Sequence, residues 1–121
     1  HIVSEIGRVG AGETALQLQD WEMFGGIMNA SGASSAGDYA ISHPQVEALV
    51  TVMQSVPGVV GARMMGGGEG GSTLALLRRD SLDALRAAVR LFFTSEVEIV
   101  PLSFAPGARR LTAAEIDSLL Q

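Results

Sequence analysis

The chain of 121 residues contains no cysteine and no lysine, because all eight of its basic residues are arginine. Without cysteine there is no disulfide framework, no thiolate zinc site and no cysteine nucleophile. Without lysine there is neither the lysine of a P-loop nor a Schiff-base amine. No apolar run approaches the ~20 residues that a membrane helix needs. We therefore expect a cytoplasmic domain with no membrane partner.

Positive charge is also scarce, since 13 acidic residues against eight basic ones give a net charge of −5. Nucleic acid is not an expected partner, because gripping phosphates needs a basic surface. The two histidines and scattered carboxylates show no metal-ligand spacing, so we expect no metal site. A composition of 47% hydrophobic and 17% charged residues is typical of a folded chain, and residues 1–121 suit a single domain.

Hydrophobic periodicity and capping residues indicate an α+β domain whose small antiparallel sheet is covered on one face by helices. Asp20, Asp80 and the capping boxes that begin at Ser42 and Thr112 mark helix starts. Residues 31–38 are small and polar, which predicts a loop. Helices are predicted over residues 2–18, 20–29, 42–56, 80–92 and 112–120, and strands over residues 59–65, 72–77 and 96–104.

Several apolar side chains are assigned from this pattern. In the helix over residues 80–92, four are expected to face the core: Leu82, Leu85, Val89 and Phe92. Trp21, Phe24 and Met28 recur at helical spacing and are interpreted as core, or alternatively as a surface that a further domain covers. In residues 2–18, the apolar residues Ile2, Ile6, Val9 and Leu16 share one helix face.

Five of the six residues between 66 and 71 are glycine, and we call this segment the glycine loop. Two strands can be joined by one or two glycines, so the excess indicates that the backbone itself must be approached. Successive bare N–H groups can converge on an anion, and the nearby Arg63 is the basic residue best placed to meet phosphate. The alternatives are a flexible hairpin tip for the loop and a strand-end ion pair for Arg63. The candidate binding residues are Arg63, Gly66, Gly67, Gly68, Gly70 and Gly71.

Residues 61–76, GARMMGGGEGGSTLAL, resemble the C-terminal glycine-rich signature of the GHMP small-molecule kinases in its galactokinase version. The flanks FGGIMNAS at 24–31 and YAISHPQVEAL at 39–49 are similar to further family segments. The short segments HIVSE at 1–5 and GAR at 107–109 agree as well. The resemblance therefore extends over almost the whole chain.

This resemblance implies a ferredoxin-like GHMP kinase C-terminal domain, part of an ATP-dependent kinase that phosphorylates the anomeric hydroxyl of galactose. It implies that ATP and Mg²⁺ serve the full-length enzyme and that the partner is the N-terminal domain of the same polypeptide. That domain would hold the main ATP loop and the catalytic residues. The 121 residues alone are expected to hold no cofactor tightly, to carry no catalytic residue and to be inactive. The alternatives are a stand-alone ferredoxin-like binding or regulatory module, or a GHMP kinase for another small-molecule alcohol.

The chain departs from the galactokinase pattern at Met65, Glu69 and Ser72, where the pattern has Thr, Phe and Cys. Because a carboxylate repels phosphate, we predict that Glu69 faces solvent or the rim of the cleft. Residues 32–36, GASSA, superficially resemble the family's ATP loop but lack its spacing and the helix behind it. His43 has no carboxylate partner within reach in the sequence and is interpreted as a surface residue rather than a catalytic base.

Overall fold

A computed structural model describes residues 1–68, 71–93, 97–105, 107, 110 and 112–119. Their helices and strands occur in the order helix, helix, helix, strand, strand, helix, helix, and a single 3₁₀ turn precedes the fourth helix. The elements are α1 (Ile2–Gln17), α2 (Trp21–Gly37), α3 (Pro44–Gln54), β1 (Val59–Met64), β2 (Thr73–Leu77), α4 (Leu82–Phe92) and α5 (Ala113–Leu119).

β1 and β2 form an antiparallel hairpin, as the sequence predicts. Val59 lies opposite Leu77 and Gly61 lies opposite Leu76, so the residue between them forms a bulge in β1. The connecting segment is the glycine loop. The pairing places the end of β1 and the start of β2 at the base of that loop.

The predicted third strand is wrong for the residues that the structure describes. Residues 97–105 are not paired with β1 or β2, and Glu96 lies outside the described residues. The alternation itself is present, because Val97 and Ile99 pack against the core while Glu98 and Val100 are exposed. Apolar alternation reports which side chains are buried, whereas a strand also needs a hydrogen-bonding neighbour.

Helices pack on both faces of β1 rather than on one. Ala62 belongs to the buried core formed with α3 and α4, whose buried members are Val50, Met53, Val56, Ala62, Leu85 and Val89. Successive strand residues point to opposite faces. Gly61 and Arg63 accordingly meet α2, where Gly25 and Gly32 lie against them.

α2 continues eight residues past the predicted end at Asn29, so the predicted loop over residues 31–38 is helical as far as Gly37. A Cβ at Gly32 would lie 2.9 Å from the Cβ of Arg63, so the small residue allows the helix to lie close to β1. Burial of Ser31 and Ser35 accompanies this contact. Packing against β1 therefore overrides the weak helix propensity of the segment.

Two helix starts differ from prediction by one residue. His43, not Ser42, caps α3, and its Nδ1 accepts from the N–H of Gln45 at 3.2 Å. α4 begins after Ser81, because residues 79–81 form a 3₁₀ turn that includes the predicted cap Asp80. The capping box at Thr112 is confirmed, with its N–H donating to Glu115 at 2.9 Å.

The apolar face of α4 is confirmed only in part. Leu85 and Val89 are buried and Leu82 is half-buried, but Phe92 is 64% exposed. The next residue, Phe93, packs against the core instead. Phe92 is the last residue of α4, where the chain leaves the helical path that the predicted face assumed.

Candidate functional site

The glycine loop is closed at its base by the backbone. The N–H of Met65 donates to the carbonyl oxygen of Ser72 at 3.0 Å, directly beyond the last pair of the hairpin, Met64 with Thr73. This bond fixes both ends of the loop to the sheet. The loop is therefore an extension of a hydrogen-bonded hairpin.

The described glycines of the loop have two different surroundings. Gly66, Gly67 and Gly71 are exposed, and a Cβ added to any of them would meet nothing within 4 Å. Gly68 has φ +87°, and its Cβ would overlap the carbonyl group of Ile41. Three glycines thus leave the backbone open to approach, while Gly68 allows the loop to lie against the segment before α3.

Two residues of the predicted site lie outside the described residues. They are Gly70, a candidate binding residue, and Glu69, which we predict to face solvent or the rim of the cleft. Met65, which replaces the threonine of the galactokinase pattern, is half-exposed at the base of the loop. Its side chain adds no hydroxyl to the open surface beside Gly66.

Arg63 lies on β1, three residues before the loop, and its side chain is held against α2. Its Nη1 donates to the hydroxyl of Ser31, and its Nη2 donates to Ser35 at 3.4 Å. Its Nε donates to the carbonyl oxygen of Met64 at 3.1 Å. Arg63 makes no ion pair with any carboxylate that the structure describes. These neutral partners hold the guanidinium but leave its charge without a directly paired carboxylate.

Ser31 connects this guanidinium to α1. Its hydroxyl donates to Glu5 at 2.6 Å, and Glu5 also forms an ion pair with Arg8. Burial raises the pKa of the Glu5 carboxyl, but the bonds from Ser31 and Arg8 and the charges of Arg8 and Arg63 outweigh it. The pKa of Glu5 is consequently lowered. We call Glu5, Arg8, Ser31, Ser35 and Arg63 the Arg63 network.

Two amide side chains bind the free edge of β1, and our sequence-based prediction did not single them out. Asn29 Oδ1 accepts from the N–H of Ala62 at 2.9 Å, and Gln54 Nε2 donates to the carbonyl oxygen of Ala62 at 2.9 Å. Gln54 Nε2 also donates to Asn29 Oδ1 at 2.9 Å. They border a cleft of about 370 Å³ that Arg63 and Glu47 also line. Asn29 and Gln54, which we call the amide clamp, thus satisfy backbone groups that an edge strand otherwise leaves without a partner.

A signal for this arrangement was present in the sequence. The residues of α2 that meet β1 recur at helical spacing: Gly25, Asn29, Gly32 and Ser35. Such a stripe of small and polar residues indicates a helix that approaches another backbone closely. Prediction from apolar spacing misses it, because the stripe contains no large hydrophobic residue.

The structure places the remaining sequence candidates away from the glycine loop's open backbone or in structural roles. Residues 32–36, the segment that resembles an ATP loop, lie inside α2 and not before a helix. His43 is exposed at the start of α3. His1 stacks on Tyr39 with ring centroids 5.0 Å apart. Within the described part of the chain, no group of three or more His, Asp and Glu side chains is arranged to hold a metal ion.

The three residues of α2 that the sequence analysis interpreted as core divide between core and surface. Met28 is buried, Phe24 is half-buried beside Gly12, and Trp21 is 42% exposed. Trp21 stacks on Phe104, with ring centroids 6.1 Å apart. None of the helices in the described ranges has the length and apolarity that crossing a membrane requires.

Comparison with known proteins identifies the class of protein to which this hairpin and loop belong. The family described as "GHMP kinases C terminal" matches residues 13–95, which include both strands, the glycine loop and Arg63. The chain therefore belongs to the GHMP kinase family.

Within that family, the chain is similar to several galactokinases. The chain is 43% identical over 86 residues to the galactokinase of Roseiflexus sp., covering 71% of this chain and 22% of the relative. It is 36% identical over 115 residues to that of Enterococcus faecalis, covering 92% of this chain and 30% of the relative. The crystal structure of Lactococcus lactis galactokinase complexed with galactose superposes with a TM-score of 0.66 at 36% identity, over 69% of this chain and 21% of that one.

The chain thus spans less than a third of the length of these galactokinases. The residues that the structure describes form a helix-packed, two-stranded antiparallel sheet, and their fold is that of a GHMP kinase C-terminal domain.

Proposed function

We propose that residues 1–121 are a single C-terminal domain of a galactokinase-like enzyme that transfers the γ-phosphoryl group of ATP to the anomeric hydroxyl of galactose. The observation that carries this proposal is the 43% identity to a galactokinase over 71% of the chain. A second galactokinase matches 92% of the chain, so the similarity is not confined to the glycine loop. The preceding domain of the same polypeptide would complete the active site.

In this proposal the glycine loop lines the phosphate side of the cleft. The openness of Gly66, Gly67 and Gly71 supports the assignment, because nothing in the described structure fills the space that a side chain would take there. Backbone N–H groups that are free to approach an anion stabilise the negative charge that phosphoryl transfer spreads over oxygen atoms. We include Gly68 and Gly70 in the loop's binding surface.

Arg63 would contribute positive charge beside the loop. It has no paired carboxylate among the described residues, and hydroxyl groups of α2 hold it in place. A guanidinium is always protonated and can donate two parallel bonds to phosphate oxygens. Moving toward the loop would require it to exchange the bonds to Ser31 and Ser35 for bonds to phosphate.

ATP supplies the transferred phosphoryl group when it is bound. The described residues provide an anion-accessible backbone and a cation, which fit the phosphates, but they provide no carboxylate cluster for Mg²⁺. We therefore assign Mg²⁺, the main nucleotide contacts and the catalytic residues to the preceding domain. The 121-residue chain alone is proposed to be inactive.

The test uses the full-length polypeptide encoded by the gene and measures ADP formation from ATP with galactose. Galactose-dependent turnover supports the proposal. Turnover with another small-molecule alcohol but not with galactose would support the assignment as a kinase and change the assigned substrate. Absence of turnover with galactose and with a panel of small alcohols would overturn the enzymatic assignment in favour of a binding or regulatory module.

A matched pair of alanine variants tests the role of the loop. Gly67→Ala meets no atom within 4 Å and needs no change of backbone, so it should leave folding unchanged. It should lower kcat/KM by at least about tenfold if substrate phosphates approach the backbone there. Gly26→Ala on the exposed side of α2, which also meets nothing within 4 Å, is the control and should retain activity. Equal activity of the two variants would remove the loop from the proposed site.

A further inference from the structure

α1 is attached to the rest of the fold along one side. Glu5 bonds to Ser31 on α2, a Cβ at Gly12 would lie 3.5 Å from the ring of Phe24, and Ala15 is fully buried. This side carries small or polar residues that allow the two helices to approach each other. It explains how α1 is held without contributing large apolar side chains of its own to the contact.

A different side of α1 carries aliphatic residues that touch no core. Ile2, Ile6 and Val9 follow one another at spacings of four and three, which places them in one row, and each is 70–71% exposed. The adjoining Val3 is 85% exposed. Single exposed apolar residues are normal, but four within eight residues of one helix form a contiguous patch of the kind that marks an interaction surface. We call Ile2, Val3, Ile6 and Val9 the α1 stripe.

The α1 stripe lies outside the part of the chain that the family description matches. That match covers residues 13–95, and the same row on α1 continues from Val9 to the exposed Glu13. The three most exposed aliphatic side chains of this row therefore lie within the first nine residues, and beyond Glu13 the row continues only with Leu16, which is 40% exposed. The family description concerns the C-terminal part of GHMP kinases, and the galactokinase relatives have more than two thirds of their length outside the match.

We propose that the α1 stripe is the docking surface for the polypeptide that precedes this domain in a galactokinase-like enzyme. The inference rests on the proposed function, because that function supplies the preceding polypeptide. A segment joined to the first helix is held close to the stripe at high effective concentration, so a small patch is sufficient to bind it. The occupant is expected to present aliphatic or aromatic side chains to the patch.

The size of the α1 stripe favours this occupant over a second copy of the chain. Four aliphatic side chains, on the order of 100 Å² each, provide about half of the roughly 800 Å² per partner that a stable interface between separate proteins buries. Apart from Leu16, which is 40% exposed and adds little to this total, the remaining exposed residues of α1 are glycines and polar residues. An intramolecular contact avoids most of the entropy cost that a dimer of this size must overcome.

The absence of cysteine from these 121 residues provides the experiment. Ile6→Cys and Val9→Cys are introduced separately into the full-length polypeptide and labelled with N-ethylmaleimide in the native and the denatured state. Mass spectrometry of the peptide that contains each cysteine gives its labelling rate. Ala84→Cys is the control, since Ala84 is an exposed residue on α4, outside the α1 stripe.

Relative to the denatured state, native labelling of the Ile6→Cys and Val9→Cys thiols should be slowed at least about tenfold more than that of Ala84→Cys, because a covered thiol reacts only after local opening. Native labelling of both stripe positions at the rate of the control would overturn the proposal. Protection that is lost on dilution would also overturn it, because it would assign the surface to a second copy.

Galactose-dependent turnover is measured on the same preparations. Galactose-dependent turnover together with unprotected thiols would overturn the docking proposal but support the proposed function. Protected thiols in a polypeptide that shows no turnover would overturn the proposed function but support the docking proposal. Two cysteine positions are used so that poor folding of one variant does not decide the result.

Discussion

Glycine has opposite uses in the α2–β1 contact and in the glycine loop. At the contact, Gly25 and Gly61 bring a helix backbone against a strand backbone, and a Cβ at Gly61 would lie 2.6 Å from the carbonyl oxygen of Gly25. In the loop, Gly66 and Gly67 face open space. The first pair is required by packing, whereas packing does not explain the second. Because Gly66 also has a φ of +83°, which favours glycine, Gly67 is the more informative of the two for function.

The largest effect is expected from Gly25→Ala. Its Cβ would overlap the carbonyl group of Val60, and because backbone is on both sides, neither partner can rotate away. Unfolding free energy should fall by about 3 kcal/mol or more, measured by urea denaturation. The neighbouring Gly26→Ala meets nothing within 4 Å and should instead stabilise the helix by about 0.5–1 kcal/mol. Similar losses of unfolding free energy in both variants would contradict the distinction between packed and open glycines.

A second pair separates the two kinds of glycine inside the loop. Gly68→Ala places a Cβ on a residue with φ +87° and against Ile41, and should cost about 2 kcal/mol. Gly67→Ala should change the unfolding free energy by less than about 0.5 kcal/mol. Thermal or urea unfolding measures both. A large loss for Gly67→Ala would mean that the loop has contacts beyond those described.

The amide clamp on β1 should contribute less. Asn29→Ala removes the acceptor for the N–H of the fully buried Ala62 and should cost about 1–2 kcal/mol in urea unfolding. Asn29→Asp is the matched variant, because a carboxylate oxygen can accept the same bonds from Ala62 and Gln54. It should retain most of the stability. Equal losses would show that the acceptor is not the important feature of Asn29.

The smallest effect concerns pH and the Arg63 network. The pKa of Glu5 is lowered in the folded chain. Its ionised form therefore stabilises the fold at pH values above the pKa of Glu5 in the unfolded chain, and that stability is lost as the pH falls through the lower folded pKa. With Glu5 partly exposed, the contribution should be less than about 1 kcal/mol.

Urea midpoints at pH 7 and at about pH 3 compare the wild type with Glu5→Gln. The wild type should be the more stable at neutral pH, and the difference should shrink in acid because Glu5 becomes neutral. If the stability difference between the wild type and Glu5→Gln stays constant between these pH values, Glu5 does not contribute to the loss of stability in acid.

Local signals predicted most of the elements. Helix-period apolar residues with stop signals located α3, and two apolar runs around the glycine loop located β1 and β2. The errors have a common origin in tertiary contacts. The end of α2 was misplaced because close packing on β1 stabilises a segment that is weak by propensity. The predicted strand over residues 96–104 failed because its alternation specifies burial but not a pairing partner.

The candidate site was predictable only where its residues are close together in the sequence. The loop and Arg63 are adjacent in sequence, so their proximity followed from chain order. Ser31 and Glu5 are separated from Arg63 by 32 and 58 positions, and only the packing of α1 and α2 on β1 brings them together. The small polar residues of α2 carried a signal of this contact in their spacing, but no signal of their partner.

By itself, the sequence determined the absence of thiol and lysine chemistry, the hairpin with its glycine loop, and the resemblance to GHMP kinases, because these depend on residue type and near neighbours. Only the tertiary structure decided which glycines are packed and which are open, what holds Arg63, and that the apolar row on α1 is left uncovered. Those properties depend on which distant segments share a surface, and side-chain periodicity cannot specify the partner across that surface.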